Sequence, residues 1–201
     1  MKHITILFSA AVLFALSVSV AAFDGQRKGL VLGAGIGLVP VAHWSTEYQG
    51  RTINENVTGM GEFLLVGYGW DQRNILALKA IMTLYDSELF DAGIVQGFGG
   101  LSWYHYFGKP GNSFFSIAGA GVSRMGETFE GIHIHINFDG FEDDTPEAPS
   151  TATGLAYLIG GGYEFLRHYQ LSVFVVGGSP SQHGHHYGIY DVNLMLSAFA
   201  F

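Results

Sequence analysis

The chain has 201 residues, a formal net charge of −8, 13% charged residues, 29 glycines and no cysteine. The acidic balance excludes nucleic acid as a partner, and the lack of cysteine excludes a disulfide scaffold. Charge is well below the ~25% usual in soluble domains, so few side chains are available to keep a surface wet.

Lys2 and His3 precede an apolar run from Ile4 to Val20, closed by Ala21 and Ala22. This predicts a cleaved signal peptide over residues 1–22, with Val20 and Ala22 in the two positions that want small residues. No cysteine lies near the cut, which excludes a lipoprotein. Residues 23–201 then make one domain. Beyond residue 22 no run of ~18 apolar residues occurs, so no transmembrane helix is predicted.

Eight strands are predicted near 28–42, 58–70, 74–85, 94–107, 113–125, 153–165, 169–176 and 190–201. Links two, four and six are tight (71–73, 108–112, 166–168). The others are longer (43–57, 86–93, 126–152, 177–189). In the first strand Leu30, Leu32, Ala34, Ile36 and Leu38 share one face, with Gly29, Gly33, Gly35 and Gly37 on the other. The third sets Leu76, Leu78, Ala80, Met82 and Leu84 against Lys79 and Thr83. The sixth sets Leu155, Tyr157 and Ile159 against Gly160, Gly162 and Glu164. Period-two alternation marks a sheet with two unlike faces. In the second strand Phe63 and Leu65 alternate with Leu64 and Val66, which leaves its direction ambiguous. Aromatics gather near the tight links: Tyr68, Trp70, residues 103–107, Tyr163, Phe165, Phe199 and Phe201.

The closing stretch, DVNLMLSAFAF over 191–201, has the length of a bilayer-crossing strand, for which ~9–11 residues suffice. With GLVLGAGIG at 29–37, VGYGW at 66–70, GGYEF at 161–165 and terminal Phe201, the chain is similar to small eight-stranded outer-membrane β-barrels of the outer-membrane-protein A/X or opacity type. The resemblance implies an all-β, antiparallel, up-and-down transmembrane barrel with both termini periplasmic. It implies outer-membrane lipids, lipopolysaccharide and the barrel-assembly machinery as partners, the last reading Phe199 and Phe201. It also puts the terminal aromatic on the lipid face. Asp191, Asn193 and Ser197 share its parity, so a bulge near Ser197 is expected to reconcile the two. A periplasmic β-sandwich stays open as the soluble alternative.

Lys79, Thr83, Gln96, Arg124, Glu164, Asp191 and Asn193 fall on expected lumen positions, with Ser102, Ser116 and Gln170. Eight strands enclose a space just wide enough for side chains, and buried charges there must pair. A salt-bridged plug is the first reading, and a narrow solute path past Lys79 and Arg124 the alternative. His133, His135, His183, His185 and His186 stand in two outer links, the first of which also carries Asp139, Glu142, Asp143, Asp144 and Glu147. Their spacing matches no closed metal site, so they read as solvated loops able to contact an extracellular partner. A lipid-A-modifying enzyme would need a His–Ser pair, with His43, Ser45 and Glu47, or His183 with Ser179 or Ser181, as candidates. No family-specific catalytic motif is present. The expected role is structural or surface-interacting, with no cofactor.

Overall fold

A computed structural model describes residues 25–48, 51–87, 92–127, 151–182 and 185–201. It contains β1 (Gly29–Tyr48), β2 (Arg51–Gly69), β3 (Asn74–Ser87), β4 (Ala92–Tyr106), β5 (Asn112–Glu127), β6 (Ala152–Phe165), β7 (Tyr169–Gly178), the two-residue β8 (Ser181–Gln182) and β9 (His185–Ala200). Every ladder is antiparallel, and β1 pairs with both β2 and β9, so the sheet closes on itself. β8 resumes the wall beyond β7 after Ser179 and Pro180, bridging Thr153 of β6 to His186 of β9. The barrel therefore has eight staves.

Following register partners once around leads from Gly33 through Leu65, Lys79, Gly100, Gly121, Ala156, Gly178 and Ile189 to Trp44. The circuit ends well above its starting point on β1. Strands so staggered tilt strongly, and eight of them leave a bore that side chains fill.

The outward face is apolar where sequence parity asks for it: Leu30, Leu32, Ile36, Leu38, Leu64, Val66, Leu76, Leu78, Leu101, Ile159, Val173 and Leu196 are exposed. Inward lie Phe63 and Leu65, which resolves the direction of the second strand. Tyr68, Trp70, Trp103, Phe107 and Phe114 ring the tight-turn end on the outside. Aromatics there suit an apolar–water boundary.

Several expectations are corrected. Link 43–57 is largely strand, because β1 runs to Tyr48 and β2 starts at Arg51. Alternation persists there, with Trp44 and Thr46 inside against His43 and Ser45. Link 177–189 likewise shrinks, with β7 ending at Gly178 and β9 starting at His185. The bulge lies in β1 instead of near Ser197. Register slips between Val39 and Ala42 against β2 and between Leu38 and Val41 against β9, around Pro40, whose nitrogen has no hydrogen to donate. Beyond it the inward parity of β1 flips from odd to even.

β9 stays regular through Ser197, so Phe199 and Phe201 turn inward and are 0% and 2% exposed. The expectation that they face lipid is wrong for this chain. They pack in an aromatic-rich core with Tyr104, Tyr106, Phe115 and Phe63 at the turn end. A second core of Trp44, Tyr85, Ile94, Met125, Tyr187 and Ile189 fills the opposite end.

Candidate functional site

The lumen is closed at the turn end by a residue that strand periodicity does not single out. Arg27 precedes β1 and is fully buried. Its guanidinium donates to both carboxylate oxygens of Glu164, Nε at 3.0 Å and Nη2 at 2.9 Å. It also donates to the carbonyls of Gln72 (2.8 Å), Gly108 (3.1 Å) and Lys109 (3.1 Å), which belong to two different turns. The guanidinium carbon sits 3.8 Å from the Tyr106 ring centroid. Glu164 takes a further hydrogen bond from Gly111 N–H. Forked, charge-assisted bonds of this kind are the strong ones, and here they tie two turns to the barrel floor. Gly25 N–H donates to the Phe201 carbonyl at 3.1 Å, so the same leading segment also holds the end of β9.

Above that floor Lys79 crosses the bore. Its ammonium is buried, donates to Tyr104 Oη at 3.1 Å, and lies 3.9 Å from the Phe63 centroid and 4.2 Å from that of Phe174. Ring faces stand where an ion-pair partner would otherwise be, an arrangement favourable for a desolvated cation. Arg27–Glu164 is the ion pair present among the described residues. Next comes a polar layer. Asp191 accepts from Gln96 Nε2 at 2.7 Å on Oδ2, its Oδ1 has no hydrogen-bond partner among the described residues, and Tyr85 donates to Gln96. Asn193 donates to the Asp191 carbonyl at 3.4 Å. Gln170 donates to Tyr106 Oη at 2.7 Å nearer the floor. Ser102 is also buried inside, its hydroxyl without a hydrogen-bond partner among the described residues.

Arg124 does not join this set. On β5 the inward residues are Phe115, Ile117, Ser123 and Met125, and Arg124 is exposed on the outer face with Ser116. Polarity misleads here because Arg124 ends the outward apolar series, where a long stem can lie on the wall and the charge reach water.

His43, Ser45 and Glu47 follow the bulge on the outer face of β1. His43 Nδ1 bonds Asn56 Oδ1 at 2.8 Å and its ring stacks on Tyr190, while Ser45 donates to the Gly188 carbonyl at 3.5 Å. No His–Ser hydrogen bond forms among the described residues, so the nucleophile–base contact is missing. His185 and His186 are exposed on β9. His133, His135 and His183 lie outside the described residues, as do the acidic residues 139–147. Among the described residues no cluster of three metal-ligating side chains occurs.

No protein-family model and no curated protein sequence matches the chain. Solved structures do. Neisserial surface protein A aligns at 12% identity over 86% of this chain and 97% of its own, with a TM-score of 0.52. The N-terminal β-barrel domain of Pseudomonas aeruginosa OprF aligns at 16% identity over 87% and 99%, TM-score 0.49. The attachment invasion locus protein Ail of Yersinia pestis aligns at 12% identity over 85% and 99%, TM-score 0.45. The chain has the fold of the small eight-stranded outer-membrane β-barrels.

Proposed function

We propose that the protein is exported by its leading 22 residues and serves in the outer membrane as a non-conducting barrel that presents its rim to partners outside the cell. The sealed bore carries this reading. The Arg27–Glu164 floor, the ring-enclosed Lys79 and the Gln96–Asp191 layer lie one above another across it. A solute path lined by Lys79 and Arg124 loses both walls, since one cation is enclosed by rings and the other is outside. The β1–β2 hairpin stands beyond the apolar band and turns Asn54, Asn56 and Thr58 outward, which suits contact in water. The acidic link 126–152 would add to that contact surface, with lipopolysaccharide and the barrel-assembly machinery as envelope partners.

Single-channel recording of the folded full chain in planar bilayers tests this. The expected trace stays at the lipid background. Discrete conductance steps that persist at low protein load would establish the pore instead.

A further inference from the structure

A groove of about 620 Å³ opens on the outer wall where β7 breaks off and β8 resumes. Register explains its shape. Tyr157, Gly177, Tyr190 and His43 succeed one another across β6, β7, β9 and β1. One step toward the rim, Gly188 faces Ser45. Gly178 and Gly188, both in the lining, have no side chains, so they form a floor between two walls. The Tyr157 ring leans over Gly177, where an added Cβ would lie 2.4 Å from it. Tyr190 stacks on His43 at 4.8 Å on the other side.

Depth follows from the outward residues of the same strands. Along β9 they run Leu196, Leu194, Val192, Tyr190, Gly188, His186, and along β1 Leu38 and Val41 give way to His43 and Ser45. The groove therefore lies at the upper edge of the apolar band, where lipid headgroups meet the wall.

Its chemistry is that of hydroxyls and rings. The Tyr157, Tyr190 and Ser179 hydroxyls have no hydrogen-bond partner among the described residues, and the groove lining includes no Lys, Arg, Asp or Glu. A phosphate would find no lysine or arginine there, and a metal ion no carboxylate. Groups that both donate and accept, beside two aromatic rings, match a neutral polyhydroxyl ring. We propose that the groove binds a neutral sugar ring, presented by a glycolipid of the outer leaflet. This rests on the outer-membrane reading but not on the closed bore.

The test uses the folded full chain in detergent and native mass spectrometry. The probe is a dephosphorylated, acylated glucosamine disaccharide, with phosphatidylglycerol as the control lipid and free chitobiose as competitor. The wild type should retain one glycolipid and no phosphatidylglycerol. Gly188→Leu fills the floor and should cut retention about tenfold or more, and Tyr190→Phe, which removes one hydroxyl, by several-fold. Displacement by free chitobiose would keep the sugar site and identify a soluble saccharide as an equal source. Equal retention of phosphatidylglycerol, or of the glycolipid by both variants, would overturn the site. Tyr190→Phe changes no packing volume, so it keeps the test readable if Gly188→Leu folds poorly. Conductance is unaffected by either substitution, so this site and the closed bore fail separately.

Discussion

Removing the Arg27 side chain would leave the Glu164 carboxylate inside the barrel with the Gly111 N–H as its remaining donor. Breaking a buried pair by deleting one partner costs ~3–5 kcal/mol, so Arg27→Ala should lower unfolding stability in lipid vesicles by about that much. Arg27→Lys should recover only part of it, since an ammonium cannot serve Glu164 and the carbonyls of Gln72, Gly108 and Lys109 in one forked geometry. An undiminished stability in Arg27→Ala would mean that the floor is not what closes the bore. At the turn joining β2 to β3, Asp71 is a smaller case with a defined sign. The Asn74 side-chain amide, then the Arg73 N–H, hold its carboxyl below the usual carboxylate range. A lowered folded value means the contribution is present above about pH 4, where the unfolded Asp is ionised, and fades as pH falls through the lower folded value. The gap in unfolding midpoint between wild type and Asp71→Ala should therefore be constant near neutrality and narrow on acidification. A gap independent of pH would remove the ionised carboxylate from the turn.

Strands differ in how far their sequence discloses them. β3 is fully legible because Leu76 to Leu84 alternate with Ala77, Lys79 and Thr83 without interruption, and parity alone sends Lys79 inward. β1 is legible only up to Pro40. One extra residue in the strand reverses every later side chain, so Trp44 enters the core and His43 leaves it. Nothing in the local pattern marks that switch except a proline in an apolar run. β5 is the third case. It carries Phe115, Ile117 and Met125 on one face and Val122 and Arg124 on the other, so polarity does not distinguish lumen from exterior. Arg27 was beyond such reasoning for a different reason. Its partners are turn carbonyls and a carboxylate distant in sequence, brought together only by closure. The β6–β7 turn carries its own strain. Leu166 has φ 55° and Arg167 φ 57°, a left-handed conformation that costs an ordinary side chain ~1–2 kcal/mol and Asn less. Leu166 is exposed and contributes little packing. Leu166→Asn should therefore stabilise the barrel by about 1 kcal/mol in reversible vesicle unfolding, and a loss of stability would mean that the leucine makes a contact worth more than its strain.

For the molecule as a whole, closure sorts the side chains into an apolar outer wall and a bore that meets only itself, and among the described residues one carboxylate interrupts the apolar band. Glu62 is on β2 between the outward Met60 and Leu64, with Ile36 and Met82 beside it in register. It is half-buried, and among the described residues no hydrogen bond or ion pair reaches it. At ~3.4 Å per residue and a tilt of ~40°, it stands about 15 Å above Tyr68 of the lower aromatic ring, inside an apolar band ~25 Å tall. A carboxyl at that depth disfavours insertion, although less than the ~2–4 kcal/mol of a basic residue at the midplane. If lipid surrounds the barrel there, Glu62→Leu should raise the unfolding free energy in vesicles by about 1 kcal/mol. The gain should shrink in thinner bilayers, where water comes closer to that depth. A loss of stability would have the opposite meaning. It would require a hydrogen-bonding partner at Glu62 within the membrane, and the β1–β3 face would then be an interface with another molecule, not a surface for acyl chains.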